Sequence, residues 1–162
     1  MEEFNTLEAV GNLFKQVNCE GQENNYFMGY IAVPTSSSML GGAIGTLVAG
    51  AVVGMENDCD GFIVDLTENG LGMMPLINGG LNGFTFTPKK MTANPVAYFF
   101  VPESEIKSIS IKRYNLISMV TKKVIIELNN GRKINLVVNV REKLLPYHEA
   151  GFARFMAKYS KK

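Results

Sequence analysis

The sequence MVTKKVIIELNNGRKINLVV, residues 119–138, predicts a β-hairpin from which the rest of the fold can be worked out. Two runs rich in β-branched residues flank the loop Asn129–Gly131, and a glycine at the last loop position suits a left-handed backbone. A three-residue loop gives the following cross-strand pairs: Ile126 with Ile134, Val124 with Leu136, and Glu127 with Lys133. The last pair joins opposite charges, which favours this register.

Upstream of this hairpin, several segments have the alternation or the β-branched and aromatic content that is typical of strands. We predict strands in residues 26–33, 60–76, 84–87, 96–101 and 105–113, and a polar loop in residues 88–95. Because these strands are joined by short connections, the sheet is expected to be antiparallel.

The segment GFIVDLTENGLGMMPL, residues 61–76, is predicted to form a hairpin of its own. With a three-residue loop, Glu68–Gly70, Val64 lies opposite Met74 and Phe62 opposite Leu76, so apolar residues share one face. A two-residue loop would bring a proline into the paired face. We therefore expect the register that the three-residue loop gives.

Helices are predicted at both ends of the chain. Residues 5–17 carry apolar residues at three- and four-residue steps, with Asn5 as N-cap and Glu8 reaching back to it. The second helix, residues 146–160, begins at about Pro146, since proline suits the first helical position. Its apolar stripe consists of Phe152, Phe155, Met156 and Tyr159.

This order, roughly seven antiparallel strands followed by one helix, resembles the bacterial pleckstrin-homology-like (PH-like) domains. The resemblance is carried by residues 61–76, by VPESEIKSISI (101–111) and by residues 119–138 with the terminal helix. It implies an α+β, mainly β fold: a bent antiparallel seven-stranded barrel capped by the C-terminal helix. The whole chain, residues 1–162, is then expected to be a single PH-like domain with an added N-terminal helix and a glycine-rich helical insertion.

The glycine-rich insertion, residues 36–55, is predicted to lie between the first two strands and contains MLGGAIGTLVAGAVVGM (39–55). Four small residues recur in it at every fourth position: Gly42, Thr46, Gly50 and Gly54. On a helix they would form a smooth stripe that lets another helix approach closely. We favour a packing helix or helical hairpin. The alternatives are a flexible apolar loop and a membrane span or re-entrant hairpin, although a span needs roughly 20 apolar residues.

The charges are distributed unevenly along the chain. Residues 1–80 contain one cationic side chain and ten acidic ones, whereas residues 81–162 contain fifteen cationic side chains and five acidic ones. Either the two halves neutralise each other in the fold, or a basic surface faces an anionic partner. Six cations form the candidate anion-binding set: Lys112, Arg113, Lys122, Lys123, Arg132 and Lys133. A solvated sheet face is the alternative for them, and nucleic acid is disfavoured because no aromatic residues interleave with them.

We recognise no catalytic or metal-binding constellation in the sequence. A phosphate-binding loop would need lysine and then serine or threonine where Ala51 and Val52 stand. The single histidine, His148, is expected at the surface near the start of the last helix. Cys19 and Cys59 are expected to be free thiols that pack as small hydrophobes in a reducing compartment.

The sequence therefore predicts a non-catalytic, cytoplasmic binding module that uses no cofactor. It is expected to act through self-association or protein contacts made by the glycine-rich insertion. The alternative is a peripheral membrane module, with the insertion dipping into lipid and the basic set facing anionic headgroups. Lipid-binding PH domains hold phosphoinositides with cations around the loop between the first two strands. Here no cation lies between Lys15 and Lys89, so the resemblance does not extend to phosphoinositide recognition.

Overall fold

The computed structural model describes residues 2–19, 21, 24–31, 59–78, 88–114 and 119–160. In these residues the chain forms a mainly β, α+β fold with a helix at each end. The helices are α1 (Leu7–Gln16) and α2 (His148–Tyr159). The strands are β1 (Tyr26–Ile31), β2 (Gly61–Leu66), β3 (Gly70–Asn78), β4 (Met91–Ala93), β5 (Phe99–Pro102), β6 (Ile106–Arg113), β7 (Thr121–Leu128) and β8 (Lys133–Asn139).

The strands form one antiparallel sheet in the order β4-β3-β2-β1-β8-β7-β6, and β5 also pairs with β3. The prediction of a closed seven-stranded barrel is corrected in two respects. The described strands number eight, because the expected loop at 88–95 contains the short strand β4. The sheet is also open, because β5 and β6 follow one another along the chain without pairing. The predicted strand at 84–87 lies outside the described residues.

The sheet bends strongly around one hydrophobic core. In a flat sheet, β3 and β7 would be four strand spacings apart, or about 19 Å. Nevertheless Leu71 and Met73 of β3 share a core with Val124 and Ile126 of β7. Helix α2 adds its buried aromatic residues to the same core: Phe152, Phe155 and Tyr159. The predicted C-terminal helix is thus confirmed, and it packs against the core of the sheet.

Helix α1 covers the opposite face of the sheet and forms a second core there. Its buried side chains are Val10, Leu13 and Phe14, and they pack in one cluster with Met28, Ile63 and Met74 of the first three strands. As a result, all six residues of β2 are buried.

The register of the β7–β8 hairpin is confirmed in full. Ile126 lies opposite Ile134, Val124 opposite Leu136, and Glu127 opposite Lys133. Gly131 has a φ of 83°, the left-handed conformation that the three-residue loop requires.

The register predicted for the β2–β3 hairpin is wrong by one residue. Val64 lies opposite Met73 and Phe62 opposite Pro75. Thr67 N–H donates to the Gly70 carbonyl at 3.0 Å, so the loop has two residues. Because β2 is buried on both faces, apolar alternation could not distinguish the two registers. Pro75 is tolerated since it lies between the part of β3 that pairs with β5 and the part that pairs with β4.

Both predicted helices exist, with shifted beginnings. The N-cap of α1 is Thr6 instead of Asn5, and its Oγ1 accepts a hydrogen bond from Ala9 N–H at 3.1 Å. Helix α2 begins two residues after Pro146. It lies directly against β1, because a Cβ at Gly151 would overlap the carbonyl oxygen of Tyr26. Glycine at this position therefore sets how closely α2 can approach the sheet.

Candidate functional site

The glycine-rich segment lies outside the described residues, so the stripe of Gly42, Thr46, Gly50 and Gly54 stays a prediction. The described residues on either side show how the segment is attached. Ile31 N–H donates to the Asp60 carbonyl at 2.9 Å, and the β1–β2 ladder continues from Tyr30 opposite Gly61. The described residues on the two sides of the segment are therefore hydrogen-bonded to each other.

Four of the six candidate cations come together at the β6–β7 end of the sheet. Lys112 lies directly opposite Lys123, and Arg113 directly opposite Lys122. Like charges in directly opposed positions destabilise a strand pair. Within the described part of the chain, none of the four forms an ion pair that would relieve this repulsion. We call these four residues the basic collar.

The basic collar has cations on both faces of the β6–β7 pair. Residues directly opposite each other share a face, and successive pairs alternate between faces. Ile111 lies opposite the fully buried Val124, so this pair is on the core face. Arg113 and Lys122 form the second pair after it and therefore lie on the core face as well. The pair Lys112–Lys123 lies on the outer face. The cations thus surround the end of the ribbon instead of covering one side of it.

Three apolar side chains follow the basic collar towards the β6–β7 connection and remain exposed. They are Tyr114, Met119 and Val120, with exposed fractions of 50%, 76% and 64%. Their backbone is held by the sheet: Tyr114 N–H donates to the Thr121 carbonyl at 3.1 Å, and Val140 N–H donates to the Val120 carbonyl at 2.7 Å. We call these three residues the apolar tip. Exposed apolar side chains next to one another often mark a surface that binds a partner.

The other two candidate cations, Arg132 and Lys133, lie at the opposite end of the hairpin, and the six do not form one site. Lys133 Nζ is 3.3 Å from Glu127, which also binds Lys107 at 2.6 Å. Hydrogen bonds from Lys107 and Lys133 lower the pKa of the Glu127 carboxyl. Lys133 therefore already has an acidic partner within the protein, which it shares with Lys107.

A buried polar cluster that the sequence analysis did not predict lies between α1 and the sheet. The thiol of Cys19 donates to Asp65 Oδ2 at 3.5 Å, and both residues are buried. Burial raises the pKa of Asp65 to about 7, partly opposed by the hydrogen bond from Cys19. Burial is also the main reason that the pKa of Cys19 is raised to about 11, with Asp65 adding to it and Tyr98 opposing it. The Cys19 thiol therefore stays protonated near neutral pH and is a poor nucleophile.

Gly72 makes room for this cluster. It lies opposite Asp65 in the β2–β3 ladder, and a Cβ on it would be 2.8 Å from Cys19 Sγ and 3.3 Å from the Tyr98 hydroxyl. Among the described residues none donates a hydrogen bond to Asp65 Oδ1. A cleft of about 600 Å³ borders the cluster, and its lining includes Val17, Asn18, Cys19, Thr67, Asn69 and Tyr98. The one sequence signal was Asp65 itself, the only charge in the apolar run 61–66.

His148 is fully buried, so the expectation of a surface position is wrong. Its Nδ1 accepts a hydrogen bond from Met28 N–H at 3.0 Å, and its Nε2 lies 2.6 Å from the carbonyl oxygen of Asn139. Since Nδ1 accepts, the proton is on Nε2 and is donated to Asn139. β1 pairs with β8 only at Tyr30 and Ile31, and the imidazole bridges the place where the two strands separate. Burial lowers the pKa of His148.

Both cysteines are free thiols, as predicted. Cys19 packs in the α1 core and Cys59 against the main core. Across the described ranges, no three His, Cys, Asp or Glu side chains cluster as metal ligands would. Neither of the described helices is long and apolar enough to cross a membrane.

The fold and this geometry define a class: a mainly β, α+β domain with a basic collar and an apolar tip at one end of its sheet. No protein-family model, curated protein or solved structure matches the chain.

Proposed function

We propose that the chain is a non-catalytic binding module of PH-like architecture that attaches to an anionic membrane surface through the basic collar. The strongly bent antiparallel sheet and the C-terminal helix that fills its core support the PH-like architecture. The proposed attachment site lies on the β6–β7 pair and so differs from the site that lipid-binding PH domains use, around the loop between the first two strands.

The single observation that carries this proposal is the pair of like-charged cross-strand contacts, Lys112 with Lys123 and Arg113 with Lys122. Within the described residues no acid forms an ion pair with them, so they are available to an anionic partner. Anionic lipid headgroups are such a partner, and each cation near such a surface contributes about 1 kcal/mol. The neighbouring apolar tip favours a lipid surface over nucleic acid, because two of its three side chains, Met119 and Val120, are aliphatic and only Tyr114 has a ring on which a base could stack.

Neutralising one collar pair is expected to weaken vesicle binding. With two cations lost, Lys112→Gln/Lys123→Gln should reduce partitioning onto phosphatidylserine-containing vesicles by roughly 30-fold, the equivalent of about 2 kcal/mol. Binding of the unmodified chain should fall steeply with salt because exposed charges are screened. Vesicle flotation at low and at physiological ionic strength measures both effects.

The matched control for this experiment is Lys15→Gln/Arg132→Gln. It removes the same charge from α1 and from the far end of the β7–β8 hairpin. The control should float like the unmodified chain. The proposal is contradicted if the unmodified chain fails to float at low salt, or if the control loses as much binding as the collar variant.

Self-association through the glycine-rich insertion remains a separate proposal, and the hydrogen bond from Ile31 to Asp60 makes it testable. Because Ile31 and Asp60, on the two sides of the segment, are hydrogen-bonded to each other, replacing residues 36–55 by a short Gly-Ser linker should leave the thermal unfolding of the domain unchanged. Light scattering then reads the oligomeric state. If the insertion mediates self-association, the deletion variant has fewer chains per particle than the unmodified protein; an equal number of chains in both removes this proposal.

A further inference from the structure

We infer that the apolar tip, Tyr114, Met119 and Val120, is a membrane anchor that enters the lipid interface end-on, with the basic collar at the level of the phosphates. This inference rests on the proposed function and adds how the domain binds and in which orientation. A purely electrostatic attachment would need neither exposed apolar side chains at this point nor any fixed orientation.

The orientation follows from the placement of the charges. A strand pair with cations on one face would lie flat on an anionic surface. Here the pair Arg113–Lys122 and the pair Lys112–Lys123 are on opposite faces of the same ribbon. Both pairs reach headgroup phosphates together only when the ribbon stands upright on the membrane, and its end then points into the bilayer.

The lengths also agree with an interfacial anchor. Tyr114 is one residue beyond the basic collar on β6, while Val120 and Met119 are two and three residues beyond it on the other strand. At about 3.3 Å per strand residue, the tip extends up to about 10 Å past the collar. Apolar groups of peripheral proteins are buried about 5–10 Å into the boundary between headgroups and acyl chains.

A second copy of the chain fits the same surface less well. A symmetric contact between two apolar tips would bring two basic collars side by side, and the described part of the chain places no acidic residue in ion-pair contact with the collar. An anionic bilayer instead offers negative charge at the level of the collar and an apolar phase at the level of the tip. Charge complementarity therefore selects the lipid surface.

The chain contains no tryptophan, which permits a direct test. Val120→Trp adds a single fluorophore at the apolar tip. With vesicles of phosphatidylcholine and phosphatidylserine, its emission should shift to shorter wavelength. Brominated acyl chains should quench it by at least about twofold if the side chain lies in the interface. The matched control is Val96→Trp, since Val96 is 96% exposed and lies on the short turn Pro95–Ala97, which is not part of the β6–β7 pair.

The possible results separate this inference from the proposed function. Quenching at position 120 together with an unchanged spectrum at position 96 supports the anchor. If the Val120→Trp protein floats with vesicles but is not quenched, the anchor is overturned and electrostatic attachment stands. If neither variant binds vesicles at low salt, both proposals fail. Equal quenching of both variants overturns the end-on orientation.

Discussion

Asp65→Asn is expected to make the fold more stable by roughly 2 to 4 kcal/mol at pH 8, an unusual direction for a substitution in a core. The reason is that Asp65 is fully buried and its Oδ1 receives no hydrogen bond from the described residues. An ionised carboxylate in such a place loses its hydration without adequate replacement. The amide has nearly the same shape and carries no charge.

The pH dependence of this effect follows from the raised pKa. In the unfolded chain the pKa of Asp65 has its ordinary value of 3.8, and in the folded protein its pKa is about 7. Between these values the folded state binds more protons than the unfolded state, so this residue makes the protein less stable as the pH rises from about 4 to 7. Above pH 7 Asp65 is ionised in both states, and its full destabilising effect on the fold is present. At pH 4 the carboxyl is protonated in the folded state and nearly half protonated in the unfolded chain, so the asparagine variant should lose most of its advantage.

Urea unfolding at pH 4 and at pH 8 measures this difference. The control is Asp60→Asn, which removes the same charge from a partly exposed position just before β2. If Asp65→Asn is no more stable than the unmodified chain at pH 8, or keeps the same advantage at pH 4, then Asp65 is not a buried carboxyl that titrates near neutrality.

Sequence patterns predicted the fold well wherever the determining contacts are local. The β7–β8 hairpin has one buried and one partly exposed side, and a glycine fixes its loop, so its register could be read directly. The β2–β3 hairpin failed because β2 is buried on both sides, by α2 and its core on one and by α1 on the other. Its side-chain pattern contains no information about register.

The candidate site was predictable only in part. The residues of the basic collar stood out by charge, but the pairing of Lys112 with Lys123 depends on the β6–β7 register across a connection with no clear turn signal. The predicted register of the β7–β8 hairpin already pairs Lys133 with Glu127, whereas the second ion pair of Glu127, with Lys107, depends on the β6–β7 register. Cys19, Asp65 and Tyr98 come from three segments that are distant in sequence and come together next to Gly72. No local sequence pattern predicts this contact.

His148→Ala is expected to destabilise the protein by about 3 kcal/mol or more. The substitution leaves the buried Met28 N–H without an acceptor, which costs about 1–3 kcal/mol, and it opens a cavity where β1 and β8 separate. Thermal and urea unfolding at pH 7.5 measure the loss. Glu149→Ala, at the exposed next position of α2, is the matched control and should change stability little, because its ion pair with Arg141 is at the surface.

Two further substitutions distinguish the hydrogen bonds of His148 from its volume. His148→Asn can keep an acceptor near Met28 N–H, and His148→Gln can keep a donor near the Asn139 carbonyl. Each should recover part of the stability that alanine loses. If both variants are as unstable as the alanine variant, then packing accounts for the role of the imidazole and the hydrogen bonds do not.

His148 also makes the stability of the protein depend on pH. Its effect lowers stability as the pH falls, whereas the effect of Asp65 raises it. Burial lowers the pKa of His148 below its ordinary value of 6.5, so the unfolded chain takes up this proton first. Stability is therefore fully present above about pH 6.5 and is lost as the pH falls below it, until the lowered pKa is passed.

In the unmodified chain, Asp65 offsets this loss over the same range. In Asp65→Asn the offset is gone, so unfolding measured from pH 7 to pH 5 should show a clear acid destabilisation. In Asp65→Asn/His148→Asn that destabilisation should disappear, and its persistence would show that another group is responsible.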